Sequence, residues 1–432
     1  MLKLRLSSFI IKFFYKGKGE VNMNKLLQSK KRGTAVLLVF IAIVLLLALG
    51  VGLLSLGVNS RVYSIRNAEH IQARCAADSG LVKAFFEMNE KLKVKPWDDS
   101  ILPQATNQIL PNCDATFSYT VINDLSSYTI TSVGRCGGAT TEVYALLGLE
   151  GLFDSAILVQ DRISLMPNTL VAGYNSADPF DTDFDLKIGT TSTLADRIPL
   201  GPGTVVDGDV FVGVGGDPEI VIGPGGTITG KKYSLSIEPV FPTIIPPSLP
   251  TTGTGLSATG QTITLGPAES GQYTGIDLSQ AGGNPGALEI QGGDVVLHIT
   301  GDIDMGNGCE LIVRPGSSLV IYIDGDISAD NSVGFNNEAG NVRDFKLYAT
   351  GASEQVFSLK AKSSIFGAVY APNANITLYP SAEMRGAIVG QSVTFKSGAA
   401  FYYDEALREN VSANDEGARF IIKRWYEGNP EL

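Results

Sequence analysis

Residues able to do chemistry are few and scattered in this chain. Only His70 and His298 occur among 432 residues, one in a helical pattern and one inside a strand. That leaves no histidine-based triad and no zinc cluster to build. Residues 225–231 fit Gly-x4-Gly-Lys, but Lys232 stands where a phosphate-binding loop needs a hydroxyl for magnesium. The carboxylates worth weighing are Asp302, Asp304, Asp324 and Asp326. Two carboxyls about 5–9.5 Å apart can cleave a glycosidic bond, and stacked ones can hold calcium. Each of these four lies in a recurring Gly-Asp turn, where Asp bonds to nearby backbone. Turn chemistry is therefore the expected role, with calcium and glycosidic cleavage as alternatives. No catalytic residue, metal ligand or cofactor is assigned.

The cysteines are placed more informatively. Residues 116–122, 127–133 and 140–147 read as three strands, the first two separated by turn-forming Asn123, Asp124 and Ser126. With residues 123–126 as the loop, Ile122 faces Ser127, and the extended ladder sets Cys113 opposite Cys136. Directly opposed residues lie about 4.5–5.5 Å apart at Cα, within disulfide range, so a Cys113–Cys136 bond is expected if the region lies outside the cytoplasm; two unpaired thiols near one hairpin is the alternative. Cys75 and Cys309 read as lone core thiols.

These residues are carried by a chain of marked asymmetry. Residues 1–32 hold nine Lys/Arg and one Glu, while the remainder sets 24 basic against 43 acidic groups. An acidic surface repels phosphate backbones, so nucleic acid is excluded as the expected partner. Residues 35–58 are 24 nearly unbroken apolar positions preceded by Lys30, Lys31 and Arg32. About 20 such residues span a bilayer as one helix, and the positive flank keeps the N-terminus cytoplasmic. Residues 59–93 lack proline, and Val62, Ile65, Ala68, Ile71, Cys75, Val82, Phe85 and Leu92 keep roughly helical spacing. One helix of about 60 residues, roughly 90 Å long at 1.5 Å per residue, is expected to stop before Pro96. Met23 follows a Lys-Gly-Lys-Gly-Glu run; translation starting there and a true basic arm over residues 1–22 are both open readings.

Basic leader, Gly33, then an apolar helix running into an amphipathic one resembles type IV prepilins, and in particular PilX-type minor pilins. Ala76-Ala77-Asp78-Ser79-Gly80 is similar to the Ala-Ala-Glu-Ala-Gly string found there. The resemblance implies cleavage between Gly33 and Thr34 by a prepilin peptidase. It also implies the inner membrane and other pilin-like subunits as partners. Two positions depart from the pattern: Thr34 replaces the usual Phe or Met, and Leu38 replaces a glutamate that neutralises a neighbour's N-terminal ammonium in the filament core, where an unpaired charge is expensive. A minor or capping subunit tolerates that loss; a plain single-span anchor without processing is the alternative.

From about residue 154 short β-branched and aromatic runs recur between Gly, Asn, Asp and Pro. Gly301-Asp302-Ile303 recurs 24 residues later as Gly325-Asp326-Ile327, and Phe366-Gly367-Ala368 is echoed 19 residues later by Arg385-Gly386-Ala387. Such a period suits a right-handed parallel β-helix whose coils share one core. The proline-rich residues 238–250 cannot be a central strand and should cross outside it. This region is similar to a domain without assigned chemistry that often follows PilX-type N-termini, on Ile323-Asp324-Gly325-Asp326-Ile327, Gly386-Ala387-Ile388-Val389-Gly390 and Tyr403-Asp404-Glu405-Ala406-Leu407.

The expected fold is α+β and membrane-anchored. Its parts are a leader (1–33), a transmembrane helix (34–58), that helix's outer continuation (59–95), a small antiparallel neck (96–150), a β-helix (151–410) and a closing C-terminal strand (411–432). The expected function is structural: a minor pilin or pseudopilin-like subunit displaying the β-helix at the periplasm or cell surface, toward a carbohydrate or protein ligand. A surface protein outside any filament and a tethered carbohydrate-active enzyme are the alternatives.

Overall fold

The computed structural model describes residues 34–124, 127–178 and 184–428. Helix α1 runs over Thr34–Leu92 without a break, as the proline-free pattern requires. Its last turn tightens, with Lys93 N–H bonded to Glu90 O and Val94 N–H to Lys91 O, before Pro96 forbids continuation. The first half of α1 is exposed, and its second half lies on an antiparallel sheet.

That sheet contains β1 (Gln104–Ile109), β2 (Thr116–Asp124), β3 (Ser127–Cys136) and β4 (Ala139–Glu150). The strand Arg419–Glu427 pairs antiparallel to β4, so segments about 270 residues or more apart in the sequence share one five-stranded sheet. Alternation along β2, β3 and β4 turns one face to the helix, where Ala115, Phe117, Tyr119, Ile130, Val143 and Ala145 form the core.

The remaining strands form one 23-stranded sheet whose neighbours run parallel. Over residues 256–404 they stack in tiers along three ladders. The first ladder joins Leu256–Thr259, Ile276–Ser279, Ile303–Met305, Ile327–Ala329 and Gln355–Leu359. The second begins at Thr262–Leu265 and the third at Gly271–Tyr273, and the long strands Ser364–Leu378 and Glu383–Phe395 bend through all three. Repeats seen in the sequence fall in register: Ile303 pairs with Ile327, and Gly367 with Gly386. Inward Ile, Val, Leu and Phe make one continuous core. At one corner the turn residues Ser332, Lys362, Ser381 and Asn168 each take a φ near +60°. Their backbones are bonded tier to tier, with Ser332 N–H on Ala361 O and Lys362 N–H on Pro380 O.

The order of tiers departs from the order of the sequence. Strand Ile157–Leu165, the first of this sheet, lies inside it, between Glu383–Phe395 and Lys187–Thr190. The chain therefore starts at an interior tier, builds outward to Lys232–Ser234, crosses to the opposite end, and stacks back inward from Leu256. The crossing is the proline-rich segment, which forms no strand; its own Ile244 is buried and Tyr370 Oη donates to Pro242 O at 2.7 Å.

Candidate functional site

Among the described residues α1 is the one helix long and apolar enough to cross a bilayer, and this fits a single-pass anchor. Every residue over 35–58 is exposed, Leu38 included. Thr34 is the first residue of α1. Gly33, the other half of the expected scissile bond, lies outside the described residues.

The second half of α1 meets the sheet differently from the expected apolar stripe. Val62, Ile65, Ile71 and Val82 are exposed, and so is Cys75, which was expected in a core. Of the expected stripe Leu92 is buried and Phe85 is partly buried, and the rest of the buried face is Ala73, Ala76, Ala77, Leu81, Ala84 and Met88. Small residues are there because helix and sheet nearly touch: a Cβ on Gly134 of β3 would lie 1.9 Å from Ala73 O, and one on Gly80 would lie 2.4 Å from Ser132 Oγ. The motif at residues 76–80 is thus a close-packing surface. Large exposed side chains occupy the opposite face.

The hairpin register differs from the expected one. Asp124 pairs with Ser127, leaving two residues between the strands rather than four, so Asn123 and Asp124 are strand residues. Pairing along the whole of both strands, with Val121 opposite Ile130 and Tyr119 opposite Ser132, outweighs the turn propensity of Asn and Asp. The ladder ends at Thr116 opposite Arg135, and Cys136 pairs with Ala139. Cys113 therefore lies beyond the ladder, its thiol directed at Leu110 O, while Cys136 Sγ faces Gln72 Oε1 at 2.9 Å; both thiols are unlinked. Burial first, then Glu69, Cys113 and Asp114, pushes the Cys136 thiol above its ordinary range.

The Gly-Asp turns carry hydrogen bonds between tiers. Asp302 accepts the Asp326 N–H and Asp326 accepts the Val356 N–H, both at 2.8 Å, and Asp209 accepts the Lys231 N–H at 2.6 Å. Asp324 accepts from Thr350 Oγ1 at 2.7 Å and faces His298 Nε2 at 3.0 Å. Burial, then Asp302, Asp277 and Asp330, raises the Asp304 carboxyl. No group of three or more metal-ligating side chains occurs among the described residues. His70 is exposed on α1. In the Gly-x4-Gly-Lys segment, Thr227–Ile228 pairs with Val205–Val206, a ladder rather than the strand-to-helix turn that cradles phosphate.

Three outward faces result, and they differ in what covers them. On the third ladder Tyr322, Tyr348 and Tyr370 stand in one row and are all buried. Residues 411–418 and the proline-rich crossing lie over them: Glu416 Oε1 meets Tyr322 Oη at 3.3 Å and Asp415 Oδ1 meets Lys346 Nζ at 2.6 Å. The second face carries larger charged groups, with Arg314 bridging Glu289 and Glu338. The first face is lined by short polar side chains. Its central row passes from Ser257 to Asp277, Asp304 and Ser328, each directly paired with the next. It continues through Ser358, Thr377 and Thr394.

Comparison with known proteins covers part of the chain. Residues 250–410 match a family model described as a domain of unknown function, DUF7305. No curated protein matches. Among solved structures, the competence-associated pilin ComZ from Thermus thermophilus aligns at 14% identity, covering 83% of this chain and 97% of its own, with a TM-score of 0.26. A glycosylated ice-binding protein, LeIBP, from an Arctic yeast aligns at 16% identity over 58% of this chain and 90% of its own, TM-score 0.30. An ice-binding protein DUF3494 domain from Shewanella frigidimarina aligns at 12% identity over 58% and 94%, TM-score 0.28. At these scores the three likenesses carry no argument about this chain.

Proposed function

We propose that the protein is a minor pilin or pseudopilin-like subunit, held in the inner membrane by α1 and presenting its 23-stranded body outside the cytoplasm as a right-handed β-helix. The observation that carries this reading is the continuity of α1. An exposed apolar half long enough to cross a bilayer passes without a break into a half packed on an antiparallel sheet. The exposed Val62, Ile65, Ile71 and Val82 give other subunits' helices an apolar surface to pack on. Leu38, where a repeating subunit carries an acid, suits a sparse or capping position. The body acts as a scaffold rather than an enzyme, since Asp302 and Asp326 spend their carboxylates on backbone N–H groups.

The test is processing at Gly33. Gly33→Arg, expressed with an active prepilin peptidase, is expected to leave an uncleaved membrane-bound precursor. From 45.8 kDa over 432 residues, the precursor should be heavier by about 1 kDa for a leader starting at Met23 and about 3.5 kDa for one starting at Met1. Wild type and variant of equal mass, with Thr34 never the first residue, would favour the second reading: a surface protein anchored outside any filament.

A further inference from the structure

We propose that the first face is a docking track for one strand of a neutral, hydroxyl-rich polysaccharide, laid across successive tiers from Asp277 to Thr394. This rests on the body being displayed outside the cytoplasm. It adds a ligand class and an address on the surface.

The face is available where the third is not. The hydroxyls of Ser328, Ser358, Thr377 and Thr394 make no side-chain hydrogen bond among the described residues. Two residues beyond the central row the ladder continues, with Tyr379 N–H on Leu359 O, Lys396 N–H on Leu378 O and Lys360 N–H on Ala329 O. Lys360 and Tyr379 are exposed, and Tyr379 is the one large ring on this strip, a platform for the apolar face of a sugar.

Shape and charge select the occupant. Five steps of about 4.8 Å between strands make the strip roughly 24 Å long, and about four residues along the strand direction make it about 13 Å wide. That is about 300 Å², well under half of the roughly 800 Å² per partner that a stable protein interface buries. A narrow strip of repeating polar groups suits a single polymer strand better than a folded partner or a second copy. Asp277, Asp302 and Asp304 lie toward one end and Lys396 toward the other, while Lys360 between them is paired with Asp330 at 2.5 Å. A polyanion lying along the whole strip meets the acids and a polycation meets Lys396, and nucleic acid further requires clustered Lys or Arg. A sugar hydroxyl both donates and accepts, so a neutral glycan can satisfy carboxylates, hydroxyls and ammonium groups in turn.

The experiment uses the full chain in detergent micelles, sedimented with cellulose and with chitin, and with alginate and duplex DNA as charged comparators. Retention on cellulose or chitin is expected, little changed at about 1 M NaCl, where charge interactions are screened beyond about 3 Å. Thr377→Arg combined with Tyr379→Ala should weaken it about tenfold, through a blocked track and a lost stacking ring. Thr377→Val keeps shape and strand propensity, and should weaken it less but measurably. Thr264→Arg, on the second face, should leave it unchanged. Failure of both neutral polymers to bind, retention confined to alginate or DNA and lost in salt, or equal retention by all three variants each overturns the proposal. Binding in micelles needs no N-terminal processing, so failure here and failure of the Gly33 test are distinguishable.

Discussion

Gly134 and Gly80 set how closely α1 approaches the sheet, and they do so unequally. The atoms a Gly134 Cβ would meet are backbone, Ala73 O at 1.9 Å and Ala77 N at 2.4 Å, so the helix itself must lift. The atoms facing Gly80 belong to side chains, Ser132 Oγ at 2.4 Å and Phe117 Cδ2 at 2.9 Å, which can rotate. Overpacking costs about 1–3 kcal/mol, and more where backbone must move. Gly134→Ala is therefore expected to lower the melting temperature further than Gly80→Ala, as read by thermal unfolding of the full chain in micelles. The reverse order would mean that the spacing is set elsewhere. The sequence offered half of this contact: residues 76–80 stood out as a motif, whereas Gly134, one strand glycine among many, had nothing to mark it as facing Ala73. The same holds for the first face, whose row of Ser, Asp and Thr comes from different tiers and is legible only once the register is known.

At the scale of elements, the joint between body and neck is an ionic cluster on residues 411–418. Asp415 pairs with Lys346 at 2.6 Å and Arg343 at 3.4 Å and accepts the Ser412 N–H at 2.8 Å, while Glu416 reaches Lys95 at 3.5 Å. Burial works to raise the Asp415 carboxyl, but Lys346, the Ser412 N–H and Arg343 together hold it below the ordinary carboxylate range. A carboxylate so depressed contributes stability that is present above its unfolded value, near 4, and is lost as pH falls through the lower folded value. The joint should therefore open in acid below about pH 4, seen as faster amide exchange in residues 411–418 and in the strand Phe345–Ala349. Asp415→Asn should open it already at neutral pH, costing about 1–3 kcal/mol because Lys346 is left half-paired in a buried place. Unchanged exchange in the variant would show that the aromatic packing under the segment, not the charges, holds the joint. Elements with strong local signals were readable in the sequence: the length of α1, its stop before Pro96, the three neck strands and the exclusion of the proline-rich residues 238–250 from any strand. The hairpin register was not, because Asn123 and Asp124 signal a turn locally while the pairing of the whole strand places them in the ladder.

At the scale of the molecule, the path of the chain decides how damage spreads. The tier repeats were legible because Gly-Asp turns recur at fixed offsets. The interior placement of Ile157–Leu165 was not, because its partner Glu383–Phe395 lies more than 200 residues away and parallel pairing needs no local mark. That pairing is the seam between an arm built outward over residues 157–234 and an arm built inward over residues 256–404. In a stacked architecture each tier is stabilised by its neighbours, so a seam tier supports both arms and a terminal tier supports one. Phe395 is fully buried at the seam, edge-on to Phe401 with ring centroids 5.9 Å apart, and Leu256 is 8% exposed in the outermost tier of the returning arm. Phe395→Ala should cost about 3–5 kcal/mol and Leu256→Ala about 2, near the low end for a leucine whose surroundings can collapse. Their patterns should differ more than their sizes. Phe395→Ala is expected to raise amide exchange in both arms together, while Leu256→Ala frays only the tiers near residues 256–279. If Phe395→Ala disturbed the returning arm alone, the two arms would be independent folding units joined by the proline-rich crossing, and the seam would be a contact rather than a shared core.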